Sequence, residues 1–245
     1  MNKKALKTTV ASLALVGVIG VGATLAYLSS QSNKLTNTFT AGEGYPEIPE
    51  YNQALILHES FVPKTDEPDE PTDCTKANSC YLVDGTTKRN IVGNDYEDVQ
   101  AGSVVTKDPE VTLNANSVNS YLYIKVQGLD ALKGNNVTTQ INDKAWVKVS
   151  DEEGLDGLYR YEGDNATKGI VETSTSTTTT EPLFKTLTFA GDEDYSKVTL
   201  DNVNLAAAAV QATYTQDGVE VIVPTDGQDG ADAQAAELLA NAFNQ

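Results

Sequence analysis

Short segments that alternate apolar and polar residues recur along the sequence, and this pattern constrains the fold more than any other feature. In one such segment, Leu122, Ile124 and Val126 alternate with two tyrosines and a lysine. Successive side chains of a β-strand point to opposite faces, so this alternation is typical of strands. Gly, Pro, Asn and Asp bound many of the segments, as they do in turns. The sequence therefore predicts a mainly β protein, an antiparallel β-sandwich with one or two short helices.

Other segments also indicate strands and turns of this β fold. Within 104–129 the pattern predicts two strands separated by an Asn/Ser turn, and Asp84-Gly85 favours a tight hairpin turn. The low-complexity stretch 173–182 is a strand, a glycosylated stalk or a loop, of which the loop is favoured. Segment 197–215 predicts one or two strands, although 205–212 alone also suits a helix.

The C-terminal region has a different spacing. Apolar residues at 236, 239, 240 and 243 recur with the period of a helix. We expect a helix over 231–243, with Asp229 or Asp232 as its N-cap.

Residues 1–26 have the features of a secretory signal peptide, which we expect to form an N-terminal signal helix. Three lysines precede an uncharged apolar run over 10–25, and small residues follow at 23, 24 and 26. This order predicts cleavage between Ala26 and Tyr27. The alternative is an uncleaved anchor, because the apolar run approaches the roughly 20 residues that span a membrane.

A strand pattern follows the predicted cleavage site. Leu35, Asn37, Phe39 and Ala41 alternate with three threonines, and Gly and Pro then end the pattern. We therefore expect an N-terminal strand segment over 27–44 and a single β-sandwich domain over 45–245. An acidic, Pro-rich insertion interrupts that domain at about 62–90.

The charge balance excludes some partners. The chain has 17 basic and 35 acidic residues and a net charge of −18, and the predicted signal peptide holds three of the lysines. Nucleic acids and anionic membrane surfaces attract basic proteins, so we expect neither as a partner after cleavage. The negative charge favours solubility and divalent cations as mediators of contact.

The chain contains two cysteines, Cys74 and Cys80, within the insertion. Export gives access to an oxidising compartment, so the spacing favours a local disulfide. A metal site is disfavoured because the pair lacks CxxC spacing and His58 is the only histidine.

Motifs for enzymatic chemistry are missing from the sequence. A zincin requires two histidines, and His58 lies in an apolar strand without a nucleophile motif nearby, where a structural role is favoured. We therefore expect no catalytic residues and no cofactor. Two acidic turns provide weak calcium candidates, namely Asp192, Asp194, Asp226 and Asp229. Solvated turns remain the favoured interpretation of both.

Five segments taken in order resemble the TasA/camelysin proteins, which the SipW-type signal peptidase exports in Gram-positive bacteria. They are GATLAYLSSQSNKLTNTFTAG, LHESF, VVTKDPEVTLNANSVNSYLYIKV, EPLFKTLTF and AAAAVQA. The resemblance covers most of the chain except the insertion and the Thr-rich stretch. Its N-terminal motif is fairly specific. Each inner motif is unspecific by itself, and it is their order along the chain that supports the resemblance.

The resemblance implies a jelly-roll β-sandwich and a secreted role at the cell surface or in the biofilm matrix. It also implies extracellular fibres, in which the mature N-terminal strand of one subunit completes the sheet of the next. Leu35, Asn37, Phe39 and Ala41 would then form the assembly strand. Self-association is the expected partnership, together with the signal peptidase during export and other matrix components. The alternatives are pairing of this strand within its own chain, a monomeric adhesin, and a secreted hydrolase or camelysin-type protease.

Overall fold

The computed structural model describes just under two thirds of the chain. The described residues are 30–31, 54–62, 80–83, 87–91, 93–94, 96, 99–150, 157–173, 176–198, 200, 202–217, 219–240 and 242–243. The predicted signal peptide and cleavage site (Ala26, Tyr27), the predicted assembly strand and most of the insertion lie outside them.

The protein is mainly β, with fifteen strands, two α-helices and one 3₁₀ turn in the described part. The first eight strands are β1 (Ser30–Gln31), β2 (Leu55–His58), β3 (Cys80–Leu82), β4 (Lys88–Asn90), β5 (Val104–Thr106), β6 (Glu110–Leu113), β7 (Ser120–Gln127) and β8 (Val137–Thr138). The others are β9 (Trp146–Lys148), β10 (Leu158–Tyr161), β11 (Thr178–Thr179), β12 (Thr186–Phe189), β13 (Asn204–Gln211), β14 (Thr213–Gln216) and β15 (Val219–Ile222). The helices are α1 (Leu129–Gly134) and α2 (Ala231–Leu239), and the 3₁₀ turn is Tyr195–Lys197.

All strand pairs are antiparallel within the described residues. The largest sheet has the order β1-β13-β7-β10-β9, and two three-stranded sheets have the orders β11-β6-β2 and β5-β12-β8. The remaining strands form the hairpins β3-β4 and β14-β15. Long strands β7 and β13 pair over eight residues, from Asn204 opposite Gln127 to Gln211 opposite Ser120. These two strands form the centre of the protein.

The central strands β7 and β13 of the five-stranded sheet are buried on both faces. One face packs against the two three-stranded sheets in a sandwich-like core, to which Leu122 and Ala209 contribute from one side and Leu55 and Leu113 from the other. The opposite face packs against α2, through Leu239. Burial of apolar surface on both faces supplies the main driving force for this arrangement. It also explains why β13 consists largely of small alanines that accept close neighbours on each side.

Several sequence predictions are confirmed. Strands β3 and β4 form the predicted hairpin, with Cys80 opposite Asn90, and Asp84 and Gly85 themselves lie outside the described residues. The segment at 205–212 is a strand rather than a helix, because β13 completes its ladder with β7. The C-terminal helix is present over Ala231–Leu239.

Three predictions are wrong in detail. The segment 104–129 contains three strands rather than two, because Pro109 separates β5 from β6 and the two join different sheets. The Thr-rich stretch contributes strand β11 beside β6, where a loop was favoured. The N-cap of α2 is Gly230, and Asp232 lies in the first turn of the helix.

In the described part of the chain, every helix is too short or too polar to cross a membrane.

Candidate functional site

The edge of the five-stranded sheet beside β13 holds the N-terminal segment. Strand β1 pairs with β13 in antiparallel register, with Ser30 opposite Ala209 and Gln31 opposite Ala208. The paired residues follow the predicted cleavage site by only a few positions. Residues Ser30 and Gln31 therefore form the outermost strand of the sheet among the described residues.

The middle of β13, where β1 pairs with it, is buried. Its residues Ala207, Ala208, Ala209 and Val210 have no exposed surface. Odd-numbered residues face the sandwich core and even-numbered residues face α2. Since the side chains of β13 are committed to its own protein, an added strand is recognised at this edge mainly through its backbone.

An ion-pair cluster fixes α2 against the same sheet. Arg160 on β10 donates through Nη1 to both carboxylate oxygens of Asp232, each at 2.7 Å. Tyr123 on β7 donates its hydroxyl to Asp232 Oδ1 at 2.8 Å. Burial, followed by the charge of Asp232, raises the pKa of Tyr123, so its hydroxyl stays protonated and remains a donor. This charge-assisted anchor holds the helix that covers β13.

A polar network occupies the outer face of the sheet β11-β6-β2. The Nε2 atom of His58 lies 2.7 Å from Thr112 Oγ1. On the other side of the ring, Arg89 Nε donates to His58 Nδ1 at 3.2 Å. Because Nδ1 accepts, the proton of the neutral imidazole resides on Nε2 and is donated to Thr112. The Thr112 hydroxyl lies 2.8 Å from Thr179 Oγ1, which continues the chain of hydrogen bonds across all three strands.

Arg89 is the centre of this network and ties the β3-β4 hairpin to the sheet. Its Nη1 atom donates to Asp108 Oδ2 at 3.0 Å and to Ser60 Oγ at 2.8 Å. Its Nη2 atom lies 3.3 Å from Glu110 Oε2. The Arg89 side chain is 11% exposed, so these contacts compensate a charge that is largely removed from water.

Burial changes the titration of two groups in the network. Burial first, and the nearby Arg89 second, lower the pKa of His58 to about 3, although Asp108 opposes them. Burial raises the pKa of Glu110 to about 7, with Arg89 opposing and Asp108 adding to the shift. The lone histidine is therefore neutral near pH 7 and acts as a structural hydrogen-bonding group, as the sequence suggested.

A cleft of about 780 Å³ opens at the end of the sheet near α1. It is lined by Lys125, Lys148 and Tyr159, together with amide side chains such as that of Asn202. Asp130 also lines the cleft, so its lining carries two lysines and one carboxylate, and the Tyr159 ring is half-buried. The lining suits a polar ligand.

The predicted site residues are only partly placed. Leu35, Asn37, Phe39, Ala41 and Cys74 lie outside the described residues. Cys80 is buried at the start of β3 and is disulfide-bonded.

The calcium candidates lie in two exposed turns. Asp192 and Asp194 follow β12, and Asp226 and Asp229 precede α2. Asp194 forms an ion pair with Lys197. In the described part of the chain, no three His, Cys, Asp or Glu side chains come together as a potential metal-binding group.

Sequence reasoning missed the polar network because its members are far apart in the chain. Arg89 lies 31 residues from His58 and 19 residues from Asp108. The one available signal was the presence of His58 and Thr112 inside otherwise apolar strands, since buried polar residues require partners.

Comparisons with known proteins return no match. The sequence matches no family model, and neither the curated proteins nor the solved structures contain a significant match. The functional argument therefore rests on the residues and geometry described above.

Proposed function

We propose that the protein is a secreted, non-enzymatic matrix or cell-surface protein that self-associates through its N-terminal strand. The signal peptidase cuts between Ala26 and Tyr27 and frees the strand segment 27–44. In the assembled state this segment leaves its own sheet and pairs with β13 of a second copy. The proposal includes membership of the TasA/camelysin family and a jelly-roll arrangement of the strands, both suggested by the sequence motifs.

The pairing of β1 with β13 is the observation that carries the proposal. A strand that lies at a sheet edge and at the start of the chain can exchange between identical copies, because the same backbone hydrogen bonds form in either arrangement. Head-to-tail exchange is a heterologous contact and produces open filaments. This geometry supports the proposal of a fibre in the extracellular matrix.

The alternation downstream of β1 supports the same role. Leu35 and Phe39 repeat on one face of the predicted strand and give it apolar anchors in addition to its backbone hydrogen bonds. The negative charge keeps separate copies soluble and favours divalent cations as bridges during assembly. Calcium is accordingly a candidate modulator of fibre formation rather than a catalytic cofactor.

Deletion of residues 27–41 from the processed protein tests the proposal. Electron microscopy should find filaments with the processed chain and none with the deletion variant. Trp146 is the only tryptophan and is 1% exposed, so its fluorescence reports whether the sandwich remains folded. A synthetic peptide of residues 27–41 should bind the deletion variant and restore its stability. Undiminished filaments from the deletion variant would refute the proposal.

The cleft near α1 favours a second candidate function, a monomeric surface adhesin for acidic glycans. Lys125 and Lys148 would neutralise carboxylate or sulfate groups, and Tyr159 would stack on a sugar ring. The variant Lys125→Glu with Lys148→Glu should abolish binding of an acidic polysaccharide in calorimetry. Binding that persists in this variant would exclude the cleft as the adhesive site.

A further inference from the structure

A buried carboxyl group connects a lysine and an asparagine near the end of β2. The side chains of Glu59 and Lys107 are each 6% exposed, and Lys107 Nζ lies 2.8 Å from Glu59 Oε2. The side chain of Asn94 donates through Nδ2 to the other oxygen, Glu59 Oε1, at 3.0 Å. One carboxyl group thus contacts an amine on one side and a carboxamide nitrogen on the other.

The contact between Lys107 and Glu59 is close but incompletely satisfied. Lys107 Nζ lies off the hydrogen-bonding direction, so the buried Glu59 Oε2 makes no hydrogen bond within the described residues. A charge pair that is poorly compensated in an interior is costly, so this lysine and carboxylate are held close together at an energetic cost. The Tyr96 ring, 6.0 Å from Nζ, helps to shield the pair from water.

The Asn94 amide is held in one orientation and polarised. Its Oδ1 atom accepts hydrogen bonds from the backbone N–H of Val62 at 3.0 Å and from Asn90 Nδ2 at 2.9 Å. Its Nδ2 atom also donates to the carbonyl oxygen of Ser60 at 2.8 Å. Two donors at a carbonyl oxygen stabilise the negative charge that develops there when a nucleophile attacks the carbon.

We propose that Lys107 and Asn94 form an intramolecular isopeptide bond, with Glu59 as the acid–base catalyst. The lone pair of Lys107 Nζ attacks Asn94 Cγ, and the oxyanion is stabilised by the N–H groups of Val62 and Asn90. Glu59 accepts one proton from the Lys107 ammonium, passes it to Asn94 Nδ2, and then accepts the second proton from the attacking nitrogen. The Cγ–Nδ2 bond breaks and a Nζ–Cγ amide remains, while the released ammonia takes the second proton from Glu59 and leaves as ammonium. No oxidant or reductant takes part, and Glu59 is regenerated.

The arrangement supplies every group that this reaction requires. A nucleophile, an acid–base group in contact with both nucleophile and leaving group, and an oxyanion site all lie in one cluster, in which Glu59 and Lys107 are buried and Asn94 is partly buried. The new bond would join the residues before β5 to those before β6 and enclose the edge strand β5. This inference is independent of strand exchange and concerns the maturation of a single copy.

Tryptic mapping of the denatured protein tests the proposal without any variant. Trypsin cuts after Arg89, Lys107 and Lys125, so an unmodified chain yields separate fragments 90–107 and 108–125. Acylation of Lys107 blocks cleavage at that position. We expect one fragment over 90–125 whose mass is lower than its calculated mass by one molecule of ammonia. Separate fragments of full mass would overturn the proposal.

Ammonia loss at Asn94 has one competing origin, a succinimide formed with the following residue. A succinimide leaves Lys107 free, so fragment 90–107 would be released with the ammonia loss. That result would also overturn the proposal. Fragmentation of the 90–125 product should place the branch between Asn94 and Lys107.

Three variants establish the roles of the residues. Glu59→Gln and Lys107→Arg should each restore cleavage after residue 107 and the full mass, because they remove the catalyst and the nucleophile. Lys144→Arg, at an exposed lysine, is the matched control and should retain the uncut, ammonia-deficient fragment. Cross-linking that persists in Glu59→Gln would overturn the catalytic assignment. Cross-linking lost in Lys144→Arg would overturn the site assignment.

Discussion

Replacement of His58 by glutamine should change the pH dependence of stability in a direction that the polar network dictates. The pKa of His58 is about 3 in the folded chain, against 6.5 in the unfolded chain. Below pH 6.5 the unfolded chain therefore binds a proton that the folded chain rejects, and stability falls as the pH falls. At about 1.4 kcal/mol for each pKa unit, the full interval corresponds to roughly 5 kcal/mol.

Glu110 acts in the opposite direction. Its pKa is about 7 in the folded chain, against 4.5 for the unperturbed group, so the folded chain retains its proton longer. Stability from this group is complete below pH 4.5 and decreases as the pH rises to 7. Between pH 4.5 and 6.5 the contributions of His58 and Glu110 nearly cancel.

The substitution His58→Gln removes the pH-dependent contribution of His58 to stability and leaves that of Glu110. Relative to the parent protein, the variant should gain about 1.4 kcal/mol of unfolding free energy for each pH unit of acidification between 6.5 and 4.5. Urea titrations followed by Trp146 fluorescence at several pH values measure the difference. Glu110→Gln is the control and should give the opposite trend. Parallel pH profiles for the parent and His58→Gln, or an imidazole signal that titrates near pH 6.5 in the folded protein, would refute the reasoning.

Three further substitutions test the packing around the five-stranded sheet, each by urea unfolding. Leu239→Ala should cost about 2–5 kcal/mol, because Leu239 is 1% exposed between α2 and the sheet; a loss below about 1 kcal/mol would contradict its place in the core. Asp232→Asn should cost about 3 kcal/mol, since it leaves the largely buried Arg160 without its main partner; an unchanged stability would show that the anchor is replaceable. Gly128→Ala should destabilise by more than about 1 kcal/mol, because φ is +97° and a Cβ would overlap the backbone oxygen of Asn202; a neutral effect would contradict this turn geometry.

The sequence could predict those parts of the fold that depend on local pattern. The alternation in β7, the Asp84-Gly85 turn and the helical spacing near Leu239 each report their own element directly. These features identify strands, a hairpin and a helix. They carry no information about which strands become neighbours.

The assignment of strands to sheets depends on long-range packing. β5 and β6 are separated by a few residues around Pro109, yet they pair with β12 and β2 respectively. The threonines of β11 form a strand because β6 provides a ladder partner and a hydroxyl partner at Thr112. Tertiary context decides such short segments, so a local pattern gives only a weak preference.

The polar clusters were beyond prediction for the same reason. Glu59, Asn94 and Lys107 are ordinary polar residues in the sequence, and only folding brings them together. In a chain with 35 acidic residues, no single carboxylate stands out before its burial is known. The alternation at Leu35, Asn37, Phe39 and Ala41 is a local feature of the sequence, and these residues lie outside the part of the chain that the structure describes.

Cross-linking between copies tests the strand-exchange proposal most directly. Residues 30 and 209 are register partners in β1 and β13, and antiparallel partners have Cα atoms about 4.5–5.5 Å apart, within the range that a disulfide spans. One preparation carries Ser30→Cys and the other Ala209→Cys, and the two are mixed before filaments form. We expect a disulfide between residues 30 and 209 of different copies, found by non-reducing peptide mapping of the filaments and absent when either preparation assembles alone. Filaments that lack this bond, while a chain with both substitutions forms it internally, would contradict exchange of the N-terminal strand.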